Sequence, residues 1–437
     1  MTINRGTLMA LVLATVACSD IATDAGDPDK LGTSDSSDPA RQDVIELFTS
    51  WVSPGEVNAL KALLALHEKS HPNTEVVQPK PGDGAATRLQ LEARMAEGLP
   101  PNAVQLSLGT GLFKWSGSQP KLDPLQTFLS ERLWVDAFYP VILAEASDDG
   151  VLYGLPINIH RTNTLFYNRA LLQQYGISPP RTLDEFQRAC SILSAAGITP
   201  IALGSTAWAL SLLVHENLLV SFGGAAFYES FWRGEVVNPD KNPHLKNAYA
   251  EVLSWWKNGW FNKDMEKITW NEAARRLVSE GNERSAFFIG GDWVKGELEW
   301  DGQYKGDQDF GSVPFPGTAG TFIYTSDCIA LPTGAHNYAG GTALLETFAS
   351  REGQVAFNSG KGSIPARQDV PITALDAMQL TTAQDFAAAQ SRVLSVSGLL
   401  RPDILSNLGA ALTQMLRDAS TDRGLRYWKN NYEMLQR

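Results

Sequence analysis

Apolar and polar positions follow two alternating periods along this chain. Asp43-Val44-Ile45-Glu46-Leu47-Phe48-Thr49 is a short apolar run that reads as a strand. Beyond it Val57, Leu60, Leu63, Leu64 and Leu66 recur at the spacing of one helical face. Between the two, Ser53-Pro54-Gly55-Glu56 carries the start signals of that helix: Ser53 as N-cap, Pro54 in the first turn and Glu56 as the reciprocal acceptor of a capping box. Pro72 restricts its predecessor, so the helix ends by His71. Thr74-Glu75-Val76-Val77 then reads as a second strand, and a β-α-β start implies a parallel sheet. Arg181-Thr182-Leu183-Asp184-Glu185-Phe186 repeats the capping pattern before another long helix, with Gly197-Ile198-Thr199-Pro200-Ile201-Ala202-Leu203 as its turn and strand. The pattern is that of an α/β protein, without an internal repeat of solenoid period.

The chain's 437 residues exceed what one core usually holds and point to two lobes. Hydrophobic residues make up 43% and charged residues 19%, enough apolar material for large cores. Lys and Arg number 36 against 48 Asp and Glu, a net charge of -12 that repels phosphate backbones and anionic membrane surfaces, so nucleic acid is not expected as a partner. Three cysteines, Cys18, Cys190 and Cys328, allow one internal bridge at most and no thiolate cage; whether Cys190 and Cys328 meet stays open.

The N-terminus departs from this globular character. Arg5 precedes the apolar stretch from Leu8 to Val16, which is too short to span a bilayer and reads as an export signal over residues 1–17. Thr15-Val16-Ala17-Cys18 resembles a bacterial lipobox, with Cys18 lipidated; the alternative is an ordinary signal peptide with an incidental cysteine. Residues 18–41 are rich in Asp, Ser, Thr, Gly and Pro and read as a solvated tether from a lipid anchor to the folded body. No later stretch reads as long and apolar enough to cross a membrane.

Two motifs imitate known chemistry. His67-Glu68-Lys69-Ser70-His71 matches H-E-x-x-H, but Pro72 ends the helix at the second histidine, so no metal site is expected. Gly360-Lys361-Gly362-Ser363 lacks the Ser or Thr that a phosphate loop places after its Lys, and no nucleotide site or cofactor is expected. The 12 tryptophans carry more weight, because Trp51, Trp208, Trp270 and Trp293 sit beside Gly, Asn, Asp or other polar residues in expected loops. Sugars present C–H faces to indoles and hydroxyls to carboxylates and amides, so an aromatic wall with a polar edge is the matching chemistry.

These residues form part of an ordered set. Tyr153-Gly154-Leu155-Pro156-Ile157-Asn158-Ile159-His160-Arg161-Thr162-Asn163, Tyr167-Asn168-Arg169-Ala170-Leu171-Leu172, Thr269-Trp270-Asn271-Glu272-Ala273, Gly290-Gly291-Asp292-Trp293, Val313-Pro314-Phe315-Pro316-Gly317-Thr318 and Lys361-Gly362-Ser363-Ile364-Pro365-Ala366-Arg367 follow one another over nearly the whole body. In this the chain resembles the extracellular solute-binding proteins (family 1) of carbohydrate ABC transporters, nearest their glucose- and mannose-type members. The resemblance implies a two-lobed periplasmic-binding-protein fold, type II-like, with interleaved lobes, a hinge and a cleft. The first lobe would hold residues 42–159 and 327–375, the second 160–326 and 376–437.

The resemblance also implies site residues. Trp51 and Glu56 would contact ligand at the first strand-to-helix turn, although Glu56 has a rival role in its capping box. Trp270 would stack, with Asn271 beside it. Asp292 would accept from hydroxyls, unless it serves as an N-cap, with Trp293 following. Lys361 would donate to sugar oxygens, and Gln105 and Ser107 would contribute from the first lobe and Ser397 from near the C-terminus. His160 and Arg161 fall at a crossover, where an interlobe structural role is expected. Ser50, Ser107 and Ser397 stand where glucose-type relatives often carry larger residues, which puts glucose in doubt and leaves sugar as the class.

The expectation is therefore a binding protein without catalytic residues. It would be an exported, membrane-anchored lipoprotein of the periplasm or cell surface and a monomer, closing on a mono- or oligosaccharide and delivering it to an ABC permease. An exported glycosidase is the alternative; it would need two facing carboxylates, and the sequence identifies no such pair. A sugar-sensing receptor subunit is the other.

Overall fold

The computed structural model describes residues 43–79, 84–116 and 119–436. The expected export signal, Cys18 and the tether lie outside the described residues. Strand Asp43–Phe48 pairs in parallel with Thr74–Val77 on one side and Ala103–Ser107 on the other. Asp327–Ala330 then runs antiparallel to Ala103–Ser107, and Leu155–Pro156 closes a five-stranded sheet. The β-α-β start forms as its signals predict. Ser53 and Glu56 make the reciprocal capping box, helix Pro54–Ser70 begins at Pro54, and His71 is its C-cap directly before Pro72.

A second, four-stranded sheet has the order Phe310–Pro314, Thr164–Asn168, Ser285–Gly290, Thr199–Ala202. Every residue of its inner strands Thr164–Asn168 and Ser285–Gly290 is buried, which is why those segments read as unbroken runs rather than alternations. Helix Leu183–Ala195 is capped by Thr182 and Glu185 as its sequence requires.

Each sheet has its own core. Leu47, Leu63, Leu106, Ile329 and Phe357 pack around the first, and Phe186, Ile201, Trp255, Phe287 and Trp428 around the second. Cys328 belongs to the first core and Cys190 to the second; both are buried free thiols, so the bridge left open by the sequence does not form. Burial raises the pKa of both thiols.

The chain passes between the sheets three times, and each passage runs through one small sheet of the order Ser391–Leu394, Thr321–Thr325, His160–Arg161. The middle strand pairs antiparallel with His160–Arg161 and in parallel with Ser391–Leu394. Helix Ala377–Ala388 lies across the passage: Gln379 donates to the carbonyls of Asn358 and Ser363, Phe386 joins the first core, and Met378 joins a smaller cluster with Phe166 and Phe288.

Two features correct or complete the sequence reading. The helical run Thr206–Trp232 is long and apolar enough to cross a membrane, contrary to the expectation that no such stretch follows the N-terminus. It is a core element: Leu210, Leu213, Leu218, Leu219 and Phe231 are buried in the second core, and the run is broken by π-helical geometry over Leu213–Leu218 and by Gly224 at φ 74°. His67 of the H-E-x-x-H match is buried, with Nδ1 2.9 Å from Thr347 Oγ1, Nε2 3.3 Å from Thr74 Oγ1 and its ring stacked on His71. Burial and the neighbouring His71 lower the pKa of His67 to about 4, so it packs as a neutral ring.

Close packing joins helices Pro54–Ser70, Trp293–Glu299 and Arg351–Lys361 through three glycines. A Cβ on Gly55 would sit 2.6 Å from the Gly296 carbonyl carbon, one on Gly296 2.9 Å from that of Lys361, and one on Gly360 2.9 Å from Ala59 Cα. The requirement is close approach of backbones, since none of the three has positive φ. Beside this junction the Lys361 ammonium pairs with Glu56, the two side chains being 4% and 17% exposed. Burial opposes the charge on Glu56, but Lys361 and the capping hydrogen bonds outweigh it and hold the carboxyl below its ordinary range.

Gly296→Ala is expected to lower stability by about 1–3 kcal/mol through overpacking, read as a lower urea midpoint; an unchanged midpoint would mean that the junction relaxes freely. Lys361→Met leaves Glu56 buried without its cation and is expected to cost on the order of 3 kcal/mol at neutral pH, with Glu56→Gln added to it restoring most of the loss. Because the folded pKa of Glu56 is depressed, its contribution is full above the ordinary carboxylate range and is lost as pH falls through the folded value. Acid titration of unfolding should therefore flatten in Lys361→Met.

Candidate ligand-binding site

The parallel strands Asp43–Phe48 and Ala103–Ser107 end on the same edge of the first sheet, and the antiparallel strand Asp327–Ala330 begins there, with Asp327 opposite Ser107. Three segments thus deliver Ser50, Gln105, Ser107 and Asp327 to one place, at the carboxyl ends where α/β sheets leave a crevice. Gln105 Oε1 accepts from Ser50 N at 3.1 Å and Ser50 Oγ at 2.9 Å, and Gln105 Nε2 donates to Asp327 Oδ1 at 2.9 Å. Asn158 Nδ2 donates to Asp327 Oδ2 at 2.8 Å, and Asn158 Oδ1 accepts from Asp327 N at 2.7 Å.

This ladder continues into the second half of the molecule. Asn158 Nδ2 lies 3.0 Å from His160 Nε2, and His160 Nδ1 bonds Asp292 Oδ1. Asp292 Oδ2 accepts from Arg161 N at 2.9 Å. With an amide donor at Nε2 and a carboxylate at Nδ1, the pattern assigns the His160 proton to Nδ1. Seven residues from Ser50 to Arg161 thereby orient one another, and the partly exposed Asp327 side chain keeps acceptor capacity beyond its two amide partners.

Aromatic surface adjoins the ladder. The half-buried Trp293 meets the His160 ring edge-on at 5.2 Å, and Trp208 lies 5.9 Å from Trp293 at an interplanar angle of 38°. Trp208 also lines a cavity of about 530 Å³ with Arg88, Ser205, Thr206, Leu405 and Ser406. Arg88 comes from helix Gly84–Glu97, next to the first sheet in sequence, while the others belong to helices packed on the second core. A larger cavity, about 660 Å³, is lined by Trp256, Asn262, Asp264 and Arg276 and takes no residue from the first sheet. Two of its charges are matched to each other: Arg276 donates twice to Asp264, at 2.9 and 2.6 Å, lowering that pKa to about 2. The smaller cavity, with walls from both halves, is the better candidate.

The residues named from the sequence divide into groups. Gln105, Ser107, Asp292 and Trp293 gather along the ladder. Trp51, Glu56 and Lys361 form a separate cluster satisfied from within: Trp51 is 3% exposed, packs on Phe357 at 4.8 Å, and has Lys361 Nζ 5.8 Å from its ring centre. Asp292 makes no N-cap bond, because both its oxygens serve His160 and Arg161. Trp270 and Asn271 are half-buried at the start of helix Trp270–Arg275, tied to the cavity wall by Trp270 N donating to Ser205 Oγ at 3.1 Å. Ser397 Oγ lies 2.8 Å from Ser395 Oγ, on a turn held to the first half by Thr110 Oγ1 donating to the Leu400 carbonyl. His160 binds across the halves as its place suggests, and Arg161 pairs with Asp385 at 2.5 Å.

Asp327, Asn158 and Arg88 were not singled out by sequence reasoning. Asp327 carried a signal: a carboxylate opening the apolar strand Asp327-Cys328-Ile329-Ala330 at a crossover. Asn158 is a polar residue inside an apolar run, which often marks a buried partner. Arg88 lies on an exposed-reading helix, and nothing local distinguishes it.

Comparison with known proteins follows from this geometry. Residues 53–355 match the family model of bacterial extracellular solute-binding proteins. A probable sugar-binding periplasmic protein of Brucella suis biovar 1 is 31% identical over 354 residues, covering 80% of each chain. The xylose/arabinose-binding protein of Haloferax volcanii is 26% identical over 375 residues, 83% of this chain and 76% of that one. The solved structure of a chitin oligosaccharide binding protein superposes with a TM-score of 0.76 at 22% identity, over 90% of this chain and 97% of the other, and shares its two-lobed fold. With two sheets, three crossings and a polar ladder between them, the chain belongs to the bacterial extracellular solute-binding protein family.

Proposed function

We propose that this protein captures a mono- or oligosaccharide between its two lobes, without altering it, and delivers it to an ABC permease. The observation that carries the reading is the ladder from Ser50 to Asp292, which aligns carboxylate, amide and hydroxyl groups beside the Trp208–Trp293 wall and links both halves. Stacking on indole supplies apolar contact, while Asp327, Gln105 and Ser107 select hydroxyl positions. Trp270, tied to Ser205 of the cavity wall, is assigned a stacking role with Asn271 beside it, and Ser397 a contact from near the C-terminus. Trp51, Glu56, Lys361 and Asp292 contribute to ligand binding chiefly by holding the walls in place. A ligand that touches both lobes only when they are closed favours closure, and the closed form is what a permease would recognise.

The lobes are assigned as 42–159 with 327–375 and 160–326 with 376–437, with helix Ala377–Ala388 lying across the join. The protein acts as a monomeric, periplasmic or cell-surface lipoprotein anchored at Cys18. Relatives named as sugar-binding periplasmic proteins and as a xylose/arabinose-binding protein support the ligand class and the place of action. They are binding proteins by name, which favours capture over hydrolysis.

A thermal-shift screen with glucose, xylose, arabinose, maltose and chitin oligosaccharides is expected to yield at least one sugar that raises the melting temperature, because ligand binding only the folded form must stabilise it. No shift across the panel, or release of shorter sugars on long incubation, would reject the proposal. For a sugar that binds, Asp327→Asn and Trp293→Ala should each weaken affinity by about 10–100-fold in calorimetric titration, while Asp264→Asn in the larger cavity should leave it unchanged.

A further inference from the structure

Glu216 is fully buried among apolar side chains of the second core, and none of the ion pairs among the described residues includes it. A buried carboxylate without a cation is costly unless its oxygens are fully bonded. Its partners are drawn from the crossings. Oε2 accepts from Thr162 Oγ1 at 2.7 Å, and Oε1 accepts from Val396 N at 2.9 Å and from the Ser395 hydroxyl. Thr162 directly follows strand His160–Arg161, and Ser395 directly follows strand Ser391–Leu394. These are the outer strands of the crossing sheet, and they flank Thr321–Thr325: Thr162 N donates to Ile323 O at 2.9 Å, and Ser395 N to Tyr324 O at 2.7 Å. One carboxylate therefore ties the ends of the two outer crossings together around the middle one. The residue occupies the π-helical turn Leu213–Leu218, a distortion found mostly where a helix serves a local function.

We propose that Glu216 is the positioning residue of the hinge: its ionised carboxylate pins the first and third crossings in one arrangement, and taking up a proton loosens that pin and changes the angle between the lobes. The effect on lobe angle does not rest on the proposed function.

The ionised form receives three donors. A proton on the carboxylate removes one acceptor position, and a hydroxyl must turn away. Alternative acceptors are at hand, Ile323 O at 3.4 Å from Thr162 Oγ1 and Ser397 Oγ at 2.8 Å from Ser395 Oγ, so the exchange re-partners Thr162 on the first crossing or Ser395 on the third without leaving a buried group unbonded. Burial raises the Glu216 carboxyl to about 7 against the pull of its three donors, which brings the exchange into the neutral range.

Other titratable groups face the same region, among them Glu145, which accepts from the Tyr324 hydroxyl at 3.5 Å and is raised by burial. Tyr228, on the following helix, donates its hydroxyl to Leu394 O at 2.8 Å and is held far above its ordinary pKa by burial and by Glu216 itself. His215 on the same turn faces Tyr249 on helix Pro243–Lys257, and burial lowers it to about 3. On the crossing strands Arg161 is paired with Asp385, and Arg392 donates to the carbonyls of Phe386 and Ala387.

The experiment is small-angle scattering of the full, sugar-free chain at about pH 5.5 and about pH 8.5, either side of the Glu216 value, for wild type and Glu216→Gln. The wild-type radius of gyration should shift between the two conditions, and Glu216→Gln should hold the wild-type low-pH value at both. Since a raised folded pKa makes the group's contribution to stability fall as pH rises from the ordinary value towards 7, the melting temperature of Glu216→Gln relative to wild type should climb over that interval. Thr162→Val, which removes one donor from the ionised form, should move the midpoint of the wild-type scattering transition to higher pH, and it serves as the test should Glu216→Gln fail to fold. Superimposable wild-type scattering at both conditions, a Glu216→Gln transition like that of wild type, or an unmoved Thr162→Val midpoint would overturn the assignment. Because sugar is absent throughout, a pH transition in a protein that binds no sugar would remove the capture reading and leave the hinge assignment standing.

Discussion

Three passages of one chain between two sheets must all satisfy their backbone hydrogen bonds, and here they do so by pairing with one another. The strands His160–Arg161, Thr321–Thr325 and Ser391–Leu394 make a sheet too small to carry a core of its own. Ordering it falls to side chains, and the buried polar residues concentrate around it. Asn163 donates to Thr318 Oγ1 and Thr321 O and accepts from Ile323 N, Arg161 spans to Asp385, and Ser326 Oγ donates to Asn158 O. A network of this kind is worthwhile only when every member is bonded, which makes the crossing region specific in geometry as well as dense in polar groups.

The proposed ligand site grows out of the same region. Asn158 and His160 are part of the first crossing and also two rungs of the ladder that reaches Asp327 and Asp292. The groups that the proposed site would offer a ligand are therefore held by the parts that connect the lobes, a few hydrogen bonds from the crossings. The glycine junction around Gly55, Gly296 and Gly360 adds a contact made by backbones rather than side chains.

The fold was largely legible because its signals are local. Capping boxes at Ser53/Glu56 and Thr182/Glu185 and the stop at Pro72 all act within a few residues. Membrane-like hydropathy over Thr206–Trp232 was missed because a core helix and a spanning helix present the same composition, and only packing tells them apart. The site was legible in part. Gln105, Asp292 and Trp293 lie along one ladder, whereas Trp51 and Glu56 turn inward because Phe357 and Lys361, some three hundred residues away in sequence, occupy their faces. Asp327 and Arg88 gain their meaning from strand register and helix placement, which no local pattern encodes.

Cys190 and Cys328 sit in different cores, each enclosed by apolar neighbours. For a member of an extracellular family, this arrangement removes the oxidative step that many secreted proteins need to mature. Nothing in the finished body asks for a disulfide-forming catalyst, and its two shielded sulfurs offer oxidants and metals no thiolate to attack. The stability of the described body therefore draws on no covalent cross-link and does not depend on the redox balance around it.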